Sequence, residues 1–147
     1  VNVLLLQNKV VRQMGLIDHA IATLHDRGEY ISDAQLRAKI SFELADCYIA
    51  KGNFELAQKR LTEVLVLAEP GLLADQAKVT LADVYLKLGE NSQAVSICSQ
   101  ILESQASAQI KQKAAELMAF AHAQEKDYDK AALVLLGKWT GAPAKQE

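Results

Sequence analysis

Apolar residues recur at steps of three and four along most of this chain, and the stripes break at regular places. Leu36, Ile40, Leu44, Cys47 and Tyr48 share one face of a helix. Ser32 stands ahead of that stripe as an N-cap. Gly52 stops the helix after Lys51, because glycine accepts the left-handed conformation at a helix end. Asn53 then caps a second helix bearing Phe54, Ala57, Leu61, Val64 or Leu65, and Ala68, which ends at Pro70-Gly71. Similar stripes predict helices over about 72–88 and 92–103, and over about 108–125 and 128–136, the last closed by Gly137. The connections are a few residues long, so successive helices lie antiparallel.

The pattern repeats. Leu44–Leu61 reads LADCYIAKGNFELAQKRL, and Leu81–Cys98 nearly restates it 37 residues later as LADVYLKLGENSQAVSIC. Ala20, Ala57, Ala94 and Ala131 keep that spacing, as do Gly15, Gly52 and Gly89, with Lys126 in the fourth place. Leu24, Leu61, Cys98 and Leu135 fill another equivalent position. After each turn come Ile17, Phe54 and Tyr128, with Asn91 the exception. A fixed period of this length is the mark of a repeat array. The expected domain is one array over 1–140, with copies at about 1–31, 32–70, 71–106 and 107–139, then a flexible tail over 141–147. The alanines have a mechanical reason. Ala45 and Ala82 on first helices, and Ala57 and Ala94 on second helices, let the backbones approach; a Leu there costs roughly 1–3 kcal/mol.

Leu44-Ala45-x-x-Tyr48, Gly52-Asn53-Phe54 and Ala57-x-x-x-Leu61 together resemble the tetratricopeptide repeat, as do Leu81-Ala82-x-x-Tyr85, Gly89 and Ala94-x-x-x-Cys98. The fourth copy departs with Met118-Ala119-x-x-His122 and Asp127-Tyr128. The first keeps Gly15, Ala20 and Leu24 but has Gln7 and Asn8 where apolar and small residues are expected, and its second helix stops at Gly28 before Glu29-Tyr30-Ile31. The family repeat is commonly 34 residues, so the period here places about three extra residues per pair, expected as an extra turn around Pro70. Pentatricopeptide repeats, which read RNA, are the nearest confusable class; the acidic pI and the Gly-x-x-x-x-Ala pattern favour the tetratricopeptide kind.

That resemblance implies an all-α, right-handed α-solenoid of antiparallel helix pairs whose first helices line a concave groove. The residues expected there are Lys39, Phe42, Asp46 and Ile49 in the second copy, Gln76, Val79, Asp83 and Leu86 in the third, and Lys113, Glu116, Phe120 and Ala123 in the fourth. Leu5, Lys9 and Arg12 extend the surface. The apolar members suit a groove for an extended peptide or amphipathic helix of a protein partner with apolar and basic residues. The alternative is that longer helices pack them against the next copy. Asp46 and Asp83 either recognise a basic residue or are solvated carboxylates. The clamp for a partner's C-terminal carboxylate found in a subset of the family is incomplete here.

Composition narrows the rest. Half of the 147 residues are hydrophobic, aromatics are few, and the net charge is −2 with no Lys/Arg cluster, which argues against gripping nucleic acid through phosphates. No apolar run is long enough to span a bilayer. His19 and His25 are six residues apart, off one helical face, so they form no metal pair. His122 holds the place of Tyr48 and Tyr85, whose rings are expected to pack between neighbouring pairs. No nucleophile with a base, no phosphate-cradling loop and no cofactor motif stands out, so no enzyme activity is expected. Cys47 and Cys98 read as buried, reduced thiols. With no signal peptide in this segment they favour a cytoplasmic setting, though the sequence does not specify the compartment. The start, VNVLLLQNKVV, lacks an initiator Met and suggests a piece of a longer chain. Its apolar surface suggests self-association through the N-terminal helix, or burial in a longer solenoid; a regulatory arm of a larger enzyme is a further alternative. Trp139 is expected to cover the last pair.

Overall fold

The structure, a computed structural model, describes residues 2–13 and 15–137. The expected cap by Trp139 and the tail over 141–147 lie outside the described residues, as does the Arg12 side chain. Among the described residues there are eight helices and no strand: α1 (Asn2–Gln13), α2 (Ile17–Gly28), α3 (Ala34–Ala50), α4 (Phe54–Leu67), α5 (Leu72–Lys87), α6 (Asn91–Glu103), α7 (Ala108–Gln124) and α8 (Tyr128–Leu135). They belong to two compact units, one through Ala77 and one from Lys78, with the boundary inside α5.

The turns inside the pairs show how strictly the period is kept. Each of the four is three residues long. The three turns after α3, α5 and α7 repeat the same two hydrogen bonds. Asn53, Glu90 and Asp127 donate their N–H to the carbonyls of Tyr48, Tyr85 and His122 at 2.9, 2.8 and 2.8 Å. Gly52, Gly89 and Lys126 donate to Ile49, Leu86 and Ala123 at 2.9, 3.2 and 3.0 Å. This pair of bonds is the Schellman closure, and it needs a left-handed residue at its centre. Gly52 and Gly89 both sit at φ +77°, and Lys126 is held there at φ +61°. The lysine thus adopts the backbone that the period demands against its own preference.

Caps follow locally. Asn53 and Asp127 accept from the N–H groups of Leu56 and Lys130. The start of α3 differs from expectation: Asp33, not Ser32, accepts from the N–H of Leu36 at 2.9 Å. Around Pro70 there is no extra helical turn. α4 ends at Leu67, with Ala68 already extended, and four residues link it to α5.

In the first unit Leu24 on α2 packs with Ile40, Leu44 and Cys47 on α3, and Leu4, Ile17, Ile21 and Tyr48 pack with the same cluster. Asn8, at the place of Ala45, is buried, and its amide donates to the Leu4 carbonyl at 2.8 Å, which satisfies a polar group in an apolar seam. In the second unit Cys98 and Ile101 on α6 pack with Ala114, Leu117, Met118 and Ala121 on α7, and with Val134 on α8. The seam alanines Ala45, Ala57, Ala82 and Ala94 are fully buried.

Candidate interaction surface

The expected stripe divides between the units. In the first, Lys39, Phe42, Asp46 and Ile49 step along α3 and are all half-buried, while Gln76 on α5 is exposed. In the second, Asp83 is half-buried, and Val79 packs against the core cluster. Leu86 is 7% exposed and belongs to that cluster with Ala82, Ala94 and Cys98, so it is part of the core and not of a surface. The α7 part is the most open: Lys113 and Glu116 are exposed, and the Phe120 ring is 54% exposed.

One cluster escaped the sequence-level expectations. His25 on α2 shares a hydrogen bond of 2.9 Å between Nε2 and the Tyr48 hydroxyl on α3. The Arg60 guanidinium of α4 lies 3.4 Å from His25 Nδ1, and its Nη1 donates to Glu63 Oε2 at 3.0 Å. Arg37 approaches the other Glu63 oxygen at 3.9 Å. His25, Arg37, Arg60 and Glu63 wall a cavity of about 290 Å³ floored by Leu24, Ile40 and Leu44. Burial, and the Arg60 cation beside it, hold the His25 imidazole below its ordinary value, so it is neutral at pH 7. Two signals in the sequence mark the spot. Arg60 stands where Ile97 and Val134 stand in later copies, and Gly28 stands where Leu65 and Leu102 do.

Burial pushes the Cys98 thiol up to about 12, which leaves it protonated and inert. Both cysteines are buried, and neither is in a disulfide. His122 is held below its ordinary value by burial and by Lys130 nearby. Among the described residues no three His, Cys, Asp or Glu side chains are placed to hold a metal ion. No described helix is long and apolar enough to cross a membrane.

No protein-family model matches the chain, and no curated protein matches it. Solved structures do. A crystal structure of MamA superposes with a TM-score of 0.74 at 19% identity, covering 92% of this chain and 74% of that one. A Podosopora anserina kinesin light chain with nearly identical TPR-like repeats gives a TM-score of 0.75 at 17% identity, covering 89% of this chain and 69% of that one. At such identities the likeness speaks for the fold, which is an all-α solenoid of the tetratricopeptide type.

Proposed function

We propose that this chain is a non-catalytic protein-interaction scaffold that takes a peptide or helix of a protein partner along the face built by its first helices. The exposed Phe120 ring carries this reading. It stands on α7 in line with Lys113 and Glu116, at the place held by Asp46 and Asp83 in the earlier copies. Apart from Asn8, the seam positions of Ala45 and Ala57 hold small residues from copy to copy, whereas these places change from acid to aromatic. Such variation suits a face that reads an extended, non-repeating partner. The acids at Asp46, Asp83 and Glu116 favour a partner with basic as well as apolar residues. Leu86 is withdrawn from the surface; Lys39, Phe42, Ile49, Gln76 and Val79 remain with the others as its proposed members.

The test is capture from source-cell lysate with the wild type, Phe120→Ala, Asp83→Lys and Lys59→Ala, an exposed α4 control. A partner retained by wild type and control, and reduced at least tenfold by Phe120→Ala and Asp83→Lys, is the expected result. Equal retention by all four contradicts a first-helix face.

A further inference from the structure

Three residues around the cavity between α2, α3 and α4 leave the pattern that later copies keep. Gly28 stands where Leu65 and Leu102 stand, and Leu102 packs against the core of its own unit. Arg60 stands where Ile97 and Val134 stand, and Val134 is buried in that same core. His25 stands where Thr62, Ser99 and Leu136 stand. The second unit thus closes the corresponding seam with apolar side chains. The first unit has a missing side chain and a half-buried guanidinium there, a choice that costs stability relative to apolar packing.

Three kinds of surface meet in this cavity. Leu24, Ile40 and Leu44 make a buried apolar floor. Arg37 and Arg60 supply two cations. Glu63 and the exposed Glu29 supply two carboxylates. These charges do not exhaust one another. Arg60 Nη1 donates to Glu63 Oε2 at 3.0 Å, and its Nη2 lies against the neutral His25 ring. Arg37 Nη2 stands 3.9 Å from Glu63 Oε1, beyond hydrogen-bond reach. Guanidinium N–H groups and carboxylate lone pairs therefore remain for a guest.

Charge balance and size select that guest. Two cations and two carboxylates carry no net charge, so a lone anion or a lone cation gains little. A guest with one charge of each sign and a short apolar body matches all three surfaces. A cavity of about 290 Å³ lies at the lower end of small-molecule pockets, roughly 300 Å³, so the body is only a few carbons long. We infer that the cavity binds a free α-amino acid with a branched aliphatic side chain, of the size of leucine or isoleucine. Its carboxylate meets Arg37 and Arg60, and its ammonium meets Glu63 and Glu29. Its side chain lies on Leu24, Ile40 and Leu44. None of these residues belongs to the partner face proposed above, so binding here and binding there can fail separately.

The experiment titrates the 147-residue chain with L-leucine, L-isoleucine, N-acetyl-L-leucine and L-leucinamide, and follows its amide nuclear magnetic resonance spectrum. Leucine or isoleucine should saturate with a Kd of about 1 mM or tighter and shift the amides of the lining residues Gly28 and Ser41. The acetylated acid lacks the ammonium and the amide lacks the carboxylate, so each should bind roughly tenfold more weakly or worse. Arg60→Ile installs the residue that α6 carries at this place, and it should weaken leucine binding roughly tenfold or more while still melting cooperatively. If that variant does not fold, Glu63→Gln, which keeps the shape and removes one carboxylate, gives the same readout. No saturation by leucine or isoleucine up to about 10 mM overturns the assignment. So does equal binding of the acetylated acid or the amide, or undiminished leucine binding by the folded variant.

Discussion

The α2–α3 and α6–α7 junctions occupy the same place in the repeat and are built from opposite choices. At α6–α7 a large Leu102 on the second helix and a small Ala114 on the first pack in the same cluster. At α2–α3 the sizes are exchanged. Gly28 takes the place of Leu102 and Ile40 that of Ala114, and a Cβ added at Gly28 would meet the Ile40 side chain at 3.2 Å. The exchange keeps the helices in register but leaves a gap beside it. Polar side chains line that gap: His25, Arg37, Arg60 and Glu63. At this place the copies exchange a large and a small residue across the junction, and the gap beside them is what the exchange does not fill.

The largest expected difference lies in the core. Met118 is surrounded by apolar neighbours, while its counterpart Leu44 borders the 290 Å³ cavity. Met118→Ala should cost about 2–5 kcal/mol, and Leu44→Ala less within that range, because part of its wall is already missing. Urea midpoints decide; the reverse order would show that the cavity closes. Next comes the size exchange. Gly28→Leu alone should destabilise by roughly 1–3 kcal/mol through overpacking. Adding Ile40→Ala should recover part of the loss, with a coupling of about 0.5–3 kcal/mol. Additive losses would show that the two positions do not share one volume.

The turn after α7 offers a smaller effect of the opposite sign. Lys126→Gly should stabilise by about 1 kcal/mol, since glycine accepts φ +61° without the side-chain penalty. An unchanged melting temperature would contradict strain at that residue. The smallest effect is titration. His25 sits below its ordinary value because of burial and Arg60, with Glu29 and Glu63 opposing and the Tyr48 hydroxyl in contact. The folded state therefore resists the proton that the unfolded chain binds at about pH 6.5. Its contribution is full above that pH and is lost as pH falls from there toward the folded value. His122 acts in the same direction, through burial and Lys130. His25→Gln should flatten the decline in thermal stability below pH 6.5 in part, and the double variant with His122→Gln should flatten it further. A decline unchanged in both would place the titration elsewhere.

Turns and seams were the legible part of this sequence, because single residues decide them. Gly52 and Gly89 announce a left-handed backbone, and Lys126 is recognisable at that place only through the period. Surface assignment was harder. Leu86 continues the stripe of Val79 and Asp83 by spacing, yet it is buried in the core cluster, and the spacing alone does not say where a stripe leaves the surface. The His25 network was invisible to periodicity because it joins three helices through residues 23 and 35 apart in sequence. Ser32 was the expected cap, and the Asp33 oxygen is instead the one that accepts from Leu36; both residue types cap helices, so composition does not choose between neighbours.

The proposed scaffold role rests on which face meets the partner. The most direct measurement places a photo-crosslinking phenylalanine analogue at Phe120 on α7 and, separately, at Lys59 on α4, in otherwise unaltered chains irradiated in source-cell lysate. A discrete crosslinked protein from position 120 and none from position 59 is the predicted result. Crosslinks from position 59 alone, or equally from both, would contradict a first-helix binding face.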